Sequence, residues 1–234
     1  MRIKRQIESL HHELPDDVTL VAISKYHSNE AIMEAYDAGQ RVFGESHVQE
    51  LMQKQPVLPK DIEWHFIGHL QTNKVKYIVP FVSLIHSVDS MKLLQEIDKQ
   101  AGRAGRVVDV LLQLHVAQEE TKFGFSKEEL MEVIRMLTPD SSHLTPNCEP
   151  IRNVRICGLM CMATNTLDEN QIRSEFRYAK EVFDEIAPAL KSLLPATCKL
   201  HLSMGMSDDY EVAIDEGSTM VRIGSLIFGE RNYD

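Results

Sequence analysis

The chain has 234 residues, with 25 lysines and arginines against 35 aspartates and glutamates, for a formal net charge of −10. That balance argues against a grip on nucleic acid, because no basic surplus is available to release counterions, whereas a single small anion held by local amides and a few cations stays open. No apolar run approaches the roughly 18 residues of a membrane span, and the N-terminus reads as an amphipathic helix rather than a secretory signal, so a cytoplasmic protein is expected.

The elements alternate along the chain. After a helix over 3–14, apolar runs predict strands at 19–24, 41–43, 64–67, 84–87, 107–115, 155–161, 199–202 and 220–223. Helical patterns lie between and after them at 29–38, 47–54, 72–79, 91–101, 127–137, 169–193 and 208–216, with a short last helix from about 225. Gly39, Gly102 and Gly217 are read as closing glycines, and Ser126 with Glu129 as a capping box. Strands each followed by a helix point to an α/β fold: a single (β/α)8 TIM-type barrel occupying 1–234, with an extra N-terminal helix. An open doubly wound sheet is the rival, but no Gly-x-Gly-x-x-Gly follows the first strand. The segment 138–153 is the one long loop.

Cysteines and histidines carry little chemistry at this level. Cys148, Cys157, Cys161 and Cys198 are too sparse for a disulfide framework, and reduced, packed thiols are expected. His65 and His69 have the spacing of a helical zinc pair, but Phe66 stands where a metalloprotease needs glutamate and Gly68 disfavours a helix, so no metal site is expected.

In a barrel of this kind, function belongs to residues at the carboxyl ends of the strands. Lys25 follows the apolar run Val21-Ala22-Ile23, where a lysine against an apolar wall can become a neutral amine able to attack a carbonyl. The segment Leu202-Ser203-Met204-Gly205-Met206-Ser207-Asp208 leaves strand seven for a helix, and Arg222-Ile223-Gly224-Ser225 makes a second such step after strand eight. Hydroxyls and amides from those two loops form a phosphate cup in many barrels. A lysine and a phosphate cup on one barrel suggest a Schiff base with a phosphorylated aldehyde, for which pyridoxal 5′-phosphate is the candidate. Arg222 is within reach of its pyridine nitrogen or its phosphate, and Glu45 and His69, at strand ends, are candidates to line the pocket.

The chain resembles the pyridoxal phosphate homeostasis protein family along essentially its whole length. The resemblance runs through Val21-Ala22-Ile23-Ser24-Lys25, Phe43-Gly44-Glu45-Ser46-His47-Val48-Gln49-Glu50, Trp64-His65-Phe66-Ile67-Gly68-His69-Leu70-Gln71, Ser203-Met204-Gly205-Met206-Ser207, and the stretch from Arg222 to Arg231. It implies the barrel of alanine racemase, Lys25 as the Schiff-base lysine, and Ser207, Arg222, Gly224 and Ser225 as parts of cofactor-binding segments. Glu45, Ser46, His69, Ser203, Met204 and Gly205 complete the candidate cofactor-binding set. Ser46-His47 replaces the family's usual Asn-Tyr, and Ser28 a common proline. The function so implied is to bind, buffer or deliver the cofactor, as a monomer, with pyridoxal-phosphate-dependent apo-enzymes as candidate recipients and no reaction of its own. A racemase-like enzyme and a lysine Schiff-base aldolase are the alternatives.

Overall fold

Strands that are apolar on both faces need cover on both, and here they obtain it by closing on themselves inside a ring of helices. In a computed structural model, which describes residues 2–116, 123–137 and 151–229, helix α1 (Arg2–Glu13) precedes the first unit. The barrel units are β1 (Thr19–Ile23) and α2 (Asn29–Asp37), β2 (Val42–Glu45) and α3 (Val48–Lys54), then β3 (Glu63–Phe66) with a 3-10 turn (Thr72–Lys74) leading into α4 (Val75–Ile78). Next come β4 (Leu84–Val88) and α5 (Met91–Arg103), β5 (Val108–Gln113) and α6 (Lys127–Leu137), and β6 (Val154–Met160) and α7 (Glu169–Leu193). The last two are β7 (His201–Met206) and α8 (Tyr210–Asp215), and β8 (Met220–Ile223) and α9 (Ser225–Phe228). All strands are parallel neighbours in chain order, and β1 closes on β8 with Thr19 opposite Met220 and Val21 opposite Arg222. The expected (β/α)8 barrel is therefore the fold.

Alternation of side chains divides the core into two layers. Val21, Ile23, Leu84, Leu111, Cys157, Met160 and Met220 pack inside the barrel. Their neighbours Leu20, Ala22, Phe43, Phe66, Ile85, Val110, Leu112, Leu202 and Val221 join the larger layer beneath the helices. Helix ends follow local chemistry. Ser28 and Ser90 cap α2 and α5, and Asp168 accepts from the first amides of α7. The Ser126 box forms as read, with the Ser126 amide donating to Glu129 at 2.8 Å and the Glu129 amide to the Ser126 hydroxyl at 3.2 Å.

Several expected boundaries move. Gly102 does not close its helix; α5 runs on to Arg103, and the chain turns at Gly105 with φ +65°. His47 precedes α3 rather than starting it. Strand five ends at Gln113, beyond which Leu114 bridges Phe125. Strand seven is displaced most: it spans His201–Met206, so Ser203, Met204 and Gly205 lie within it rather than in the loop beyond. The cause is Gly205, at φ +92°, where an added Cβ would meet the Ala213 side chain at 2.6 Å and the Tyr210 backbone at 2.9 Å. That irregularity lets α8 lie close to the strand and shifts the β7–β8 register between Ser203 and Met206. The expected loop over 138–153 falls outside the described residues as far as position 150.

Candidate functional site

The carboxyl ends of the strands gather Lys25, Ser46, His69, Ser207, Gly224 and Ser225 at one mouth. Lys25 is half-buried in the turn that follows β1, and Tyr26 after it adopts φ +65°, a left-handed conformation that costs a bulky residue on the order of 1–2 kcal/mol. The surroundings hold that turn in place. The Tyr26 amide donates to the Glu50 carboxylate at 2.6 Å, and the Lys54 ammonium donates to Glu50 at 2.6 Å, to the Ser24 carbonyl at 2.8 Å and to Glu45 at 2.8 Å. Lys54 is buried, with Glu45 in contact, and the Ser24 hydroxyl donates to the same Glu45 oxygen at 2.7 Å. Burial pushes the Glu45 carboxyl above its ordinary range, against the pull of Lys54.

This network corrects the role expected of Glu45. Along β2, Phe43 packs in the layer beneath the helices and Glu45 follows it on that face, so its side chain anchors α3 to the end of β1 and does not line the mouth. Met204 behaves likewise. Its side chain sits in the outer layer, turned from the barrel axis, and its carbonyl accepts from the Ser218 hydroxyl at 2.8 Å.

The loops after β7 and β8 meet through one bond. The Ser207 hydroxyl accepts from the Gly224 amide at 3.2 Å, and α9 then begins at Ser225 with no side-chain cap over its first amides. On the other rim, Ser46 leaves β2 so close to Gly68 that a Cβ there would fall 2.2 Å from the Ser46 carbonyl. His69 is half-exposed; its Nδ1 lies 3.0 Å from an Asp89 carboxylate oxygen and its ring stacks on Phe123 at 4.2 Å. A cavity of about 710 Å³ opens beside Ser207, between the loops after β6 and β7, lined among others by Met162, Thr164, Met206, Tyr210 and Leu226.

Arg222 stands beneath the mouth, inside the barrel and only 4% exposed. Its Nη1 donates to the Ser203 carbonyl at 2.9 Å and to the Ser203 hydroxyl at 2.7 Å, and Nη2 donates to the Cys161 carbonyl at 2.9 Å. None of these partners is a carboxylate, and burial draws the guanidinium below its ordinary range. Its hydrogen bonds thus go to dipoles, with the Asp209 carboxylate as a nearby opposite charge.

A chain of polar groups continues downward from Arg222. Arginine can only donate, so Ser203 Oγ receives its bond, and the same oxygen lies 3.1 Å from His86 Nδ1. His86 Nε2 in turn lies 3.0 Å from His65 Nδ1, so the two rings are linked by one hydrogen bond. Burial holds both rings neutral, with His86 well below its ordinary value and His65 pushed down to about 3. His65, Glu63, Asp109, Arg155, Cys157, Cys198 and His201 border a second cavity, of about 410 Å³, at the opposite end of the barrel.

The structure brings Lys25, Ser207, Gly224 and Ser225 to one end of the barrel with Arg222 beneath them, and adds Glu50, Lys54 and His86, which sequence reasoning did not single out. The Glu50–Lys54 spacing of four looks like an ordinary surface pair on α3, and only the helix's approach to β1 buries it. His86 was visible as an ionisable position within the strand Leu84-Ile85-His86-Ser87-Val88. Among the described residues no cluster of histidine, cysteine and carboxylate groups could hold a metal ion, and no helix is long and apolar enough to cross a membrane.

Comparison with known proteins adds lineage to this geometry. The alanine racemase N-terminal domain family matches residues 1–232. The pyridoxal phosphate homeostasis protein of Aquifex aeolicus is 43% identical over 215 residues, covering 92% of this chain and 87% of that protein. Among solved structures, PipY of Synechococcus elongatus without PLP superposes with a TM-score of 0.84 at 36% identity, covering 97% of this chain and all of that one. The same protein with PLP bound gives 0.78 at 35%. With identity of this order across nearly the whole chain, on a closed barrel that carries its lysine at the end of β1, the protein belongs to the pyridoxal phosphate homeostasis protein family.

Proposed function

We propose that this protein binds pyridoxal 5′-phosphate as a Schiff base on Lys25 and acts as a reversible holder of the cofactor, without turning over a substrate. The observation that carries the reading is that one end of the barrel presents a half-buried lysine together with two loops joined by the Ser207–Gly224 bond. The donor set fits the cofactor's chemistry: an amine for an aldehyde, hydroxyls and the uncapped start of α9 for a phosphate, and a buried arginine for a ring nitrogen. A solved structure of PipY, with PLP bound, supports the same ligand.

The cofactor supplies an aldehyde that condenses reversibly with an amine, so holding and release need no further catalyst. This chain's residues do the rest. Glu50 and Lys54 fix the turn that carries Lys25, Ser207 and Ser225 would receive the phosphate with Gly224, and Ser46 and His69 would border the ring. Arg222, locked by Ser203 and the Cys161 carbonyl, would keep a positive charge near the ring nitrogen. A cation there disfavours protonation of the ring and weakens it as an electron sink, which suits storage better than catalysis. Delivery to apo-enzymes, as a monomer in the cytoplasm, follows as the physiological role.

The test uses the full chain incubated with pyridoxal 5′-phosphate. A near-visible imine band is expected in the wild type and lost in Lys25→Ala; a variant that keeps the band overturns the lysine assignment. Enzyme-like racemisation of D- or L-alanine would replace the holder with a racemase, and binding of phosphosugars without any chromophore would favour an aldolase.

A further inference from the structure

The floor of the barrel carries a pair of sulfurs that the cofactor end does not use. Cys157 on β6 and Cys161 just after it, four apart, would share a face of a regular extended chain, but Gly158 between them adopts φ +137° and the β5–β6 register shifts nearby. Cys157 therefore packs inside the barrel and Cys161 in the outer layer. Cys157 faces Cys198, in the segment entering β7: the two Sγ atoms are 3.6 Å apart. Both thiols border the cavity of about 410 Å³ that opens at this end, so a small solute reaches them without passing the mouth.

We propose that Cys157 and Cys198 form a thiol–disulfide redox site on the barrel floor, closed by a two-electron oxidant of the peroxide class. Forming a bond near 2.05 Å requires the sulfurs to approach by about 1.6 Å. Cys198 supplies the movement, since it lies in a half-exposed turn whose amide bonds Pro195, whereas Cys157 is held in the strand.

The roles of the two sulfurs differ. Cys157 is 2% exposed, and burial together with Asp109 raises its thiol far above the ordinary range, so it is a poor first nucleophile. Cys198 meets the oxidant first. Its sulfur attacks one peroxide oxygen, the O–O bond breaks, and the departing hydroxide takes a proton to become water, leaving a sulfenic acid. The Cys157 sulfur then attacks that of Cys198, the S–O bond breaks, and the Cys157 proton leaves with the oxygen as a second water. Two thiols are oxidised and one peroxide is reduced. The new bond ties β6 to the start of β7 around α7, at the end of the barrel remote from Lys25.

The experiment needs no cofactor and so stands or falls apart from the reading of the mouth. The full chain, reduced and then freed of reductant, is treated with hydrogen peroxide, its remaining thiols are alkylated, and its peptides are mapped by mass. The expected product joins the Cys157 and Cys198 peptides, is lighter by two hydrogens, and removes two of the four alkylatable thiols in the chain. Dithiothreitol restores them. Cys198→Ser abolishes the product, and because this site is half-exposed the variant keeps its fold; Cys148→Ser retains the product. Oxidation of Cys198 to sulfinic acid with no cross-link, a cross-link through Cys148, or disulfide-linked dimers on a non-reducing gel would overturn the proposal.

Discussion

The two ends of the barrel are both polar, yet they handle charge in opposite ways. At the mouth, ions are buried and held by networks: Lys54 against Glu45 and Glu50, and Arg222 against carbonyls and a hydroxyl. At the floor, the pair between Arg155 and Asp109, 2.6 Å apart, remains partly exposed, and the buried groups His65 and His86 stay neutral. A buried ion needs a complete set of partners, whereas a neutral imidazole needs only one donor and one acceptor. Ions are thus buried toward the mouth, whereas at the floor the ion pair stays partly exposed and the buried groups are neutral.

Breaking the mouth network gives the largest effect. Lys54→Met leaves Glu45 and Glu50 without their cation and is expected to destabilise the fold by about 3–5 kcal/mol, as for other buried pairs that lose one partner. Urea denaturation of the variant measures this; a loss below about 1 kcal/mol would mean that the pair behaves as a surface ion pair.

Ser203 lies between the two ends, and its removal tests whether they are joined. Ser203→Ala takes an acceptor from Arg222 and a hydrogen-bond partner from His86, both buried, at an expected cost of about 1–3 kcal/mol. Affinity for pyridoxal 5′-phosphate is expected to fall as well, because Arg222 loses its orientation. Denaturation and cofactor titration of the same variant give the two readings.

The pH response separates the ends by sign. An unfolded His65 takes up a proton near 6.5, while the folded one resists until about 3. As pH falls through that window, the unfolded state binds the extra proton and the fold loses about 1.4 kcal/mol per pH unit from this residue. Glu45 acts in the other direction. Its folded value is raised, so its contribution is complete below 4.5 and declines as pH rises through the folded value. Denaturation midpoints at several pH values are expected to show a shallower acid slope in His65→Asn than in the wild type, with an unchanged slope speaking against a neutral buried ring.

The smallest effect belongs to the exposed floor pair. Arg155→Gln, at 42% side-chain exposure, is expected to cost no more than about 1 kcal/mol, and less as salt is added. Parallel denaturation curves at low and high salt check this.

The fold was legible because alternating apolar runs and amphipathic stretches need nothing beyond local pattern. That Lys25, Ser207 and Ser225 lie at strand ends was legible for a related reason, since the βα pattern places those ends before any contact is known. Strand seven was misplaced because Gly205 interrupts its alternation. Glu45 and Met204 were assigned to the pocket because position along a strand does not tell which face a side chain takes once a strand end is reached. The link between His86 and Ser203 spans 117 residues of sequence and exists only in the closed barrel.

The central claim is that Lys25 is the residue that holds the cofactor. It is tested most directly by incubating the full chain with pyridoxal 5′-phosphate, fixing the product with borohydride and locating the modified residue by peptide mass mapping. A single modification on the peptide that contains Lys25 is the result predicted. Modification at another lysine, or none while the cofactor remains bound, would contradict it.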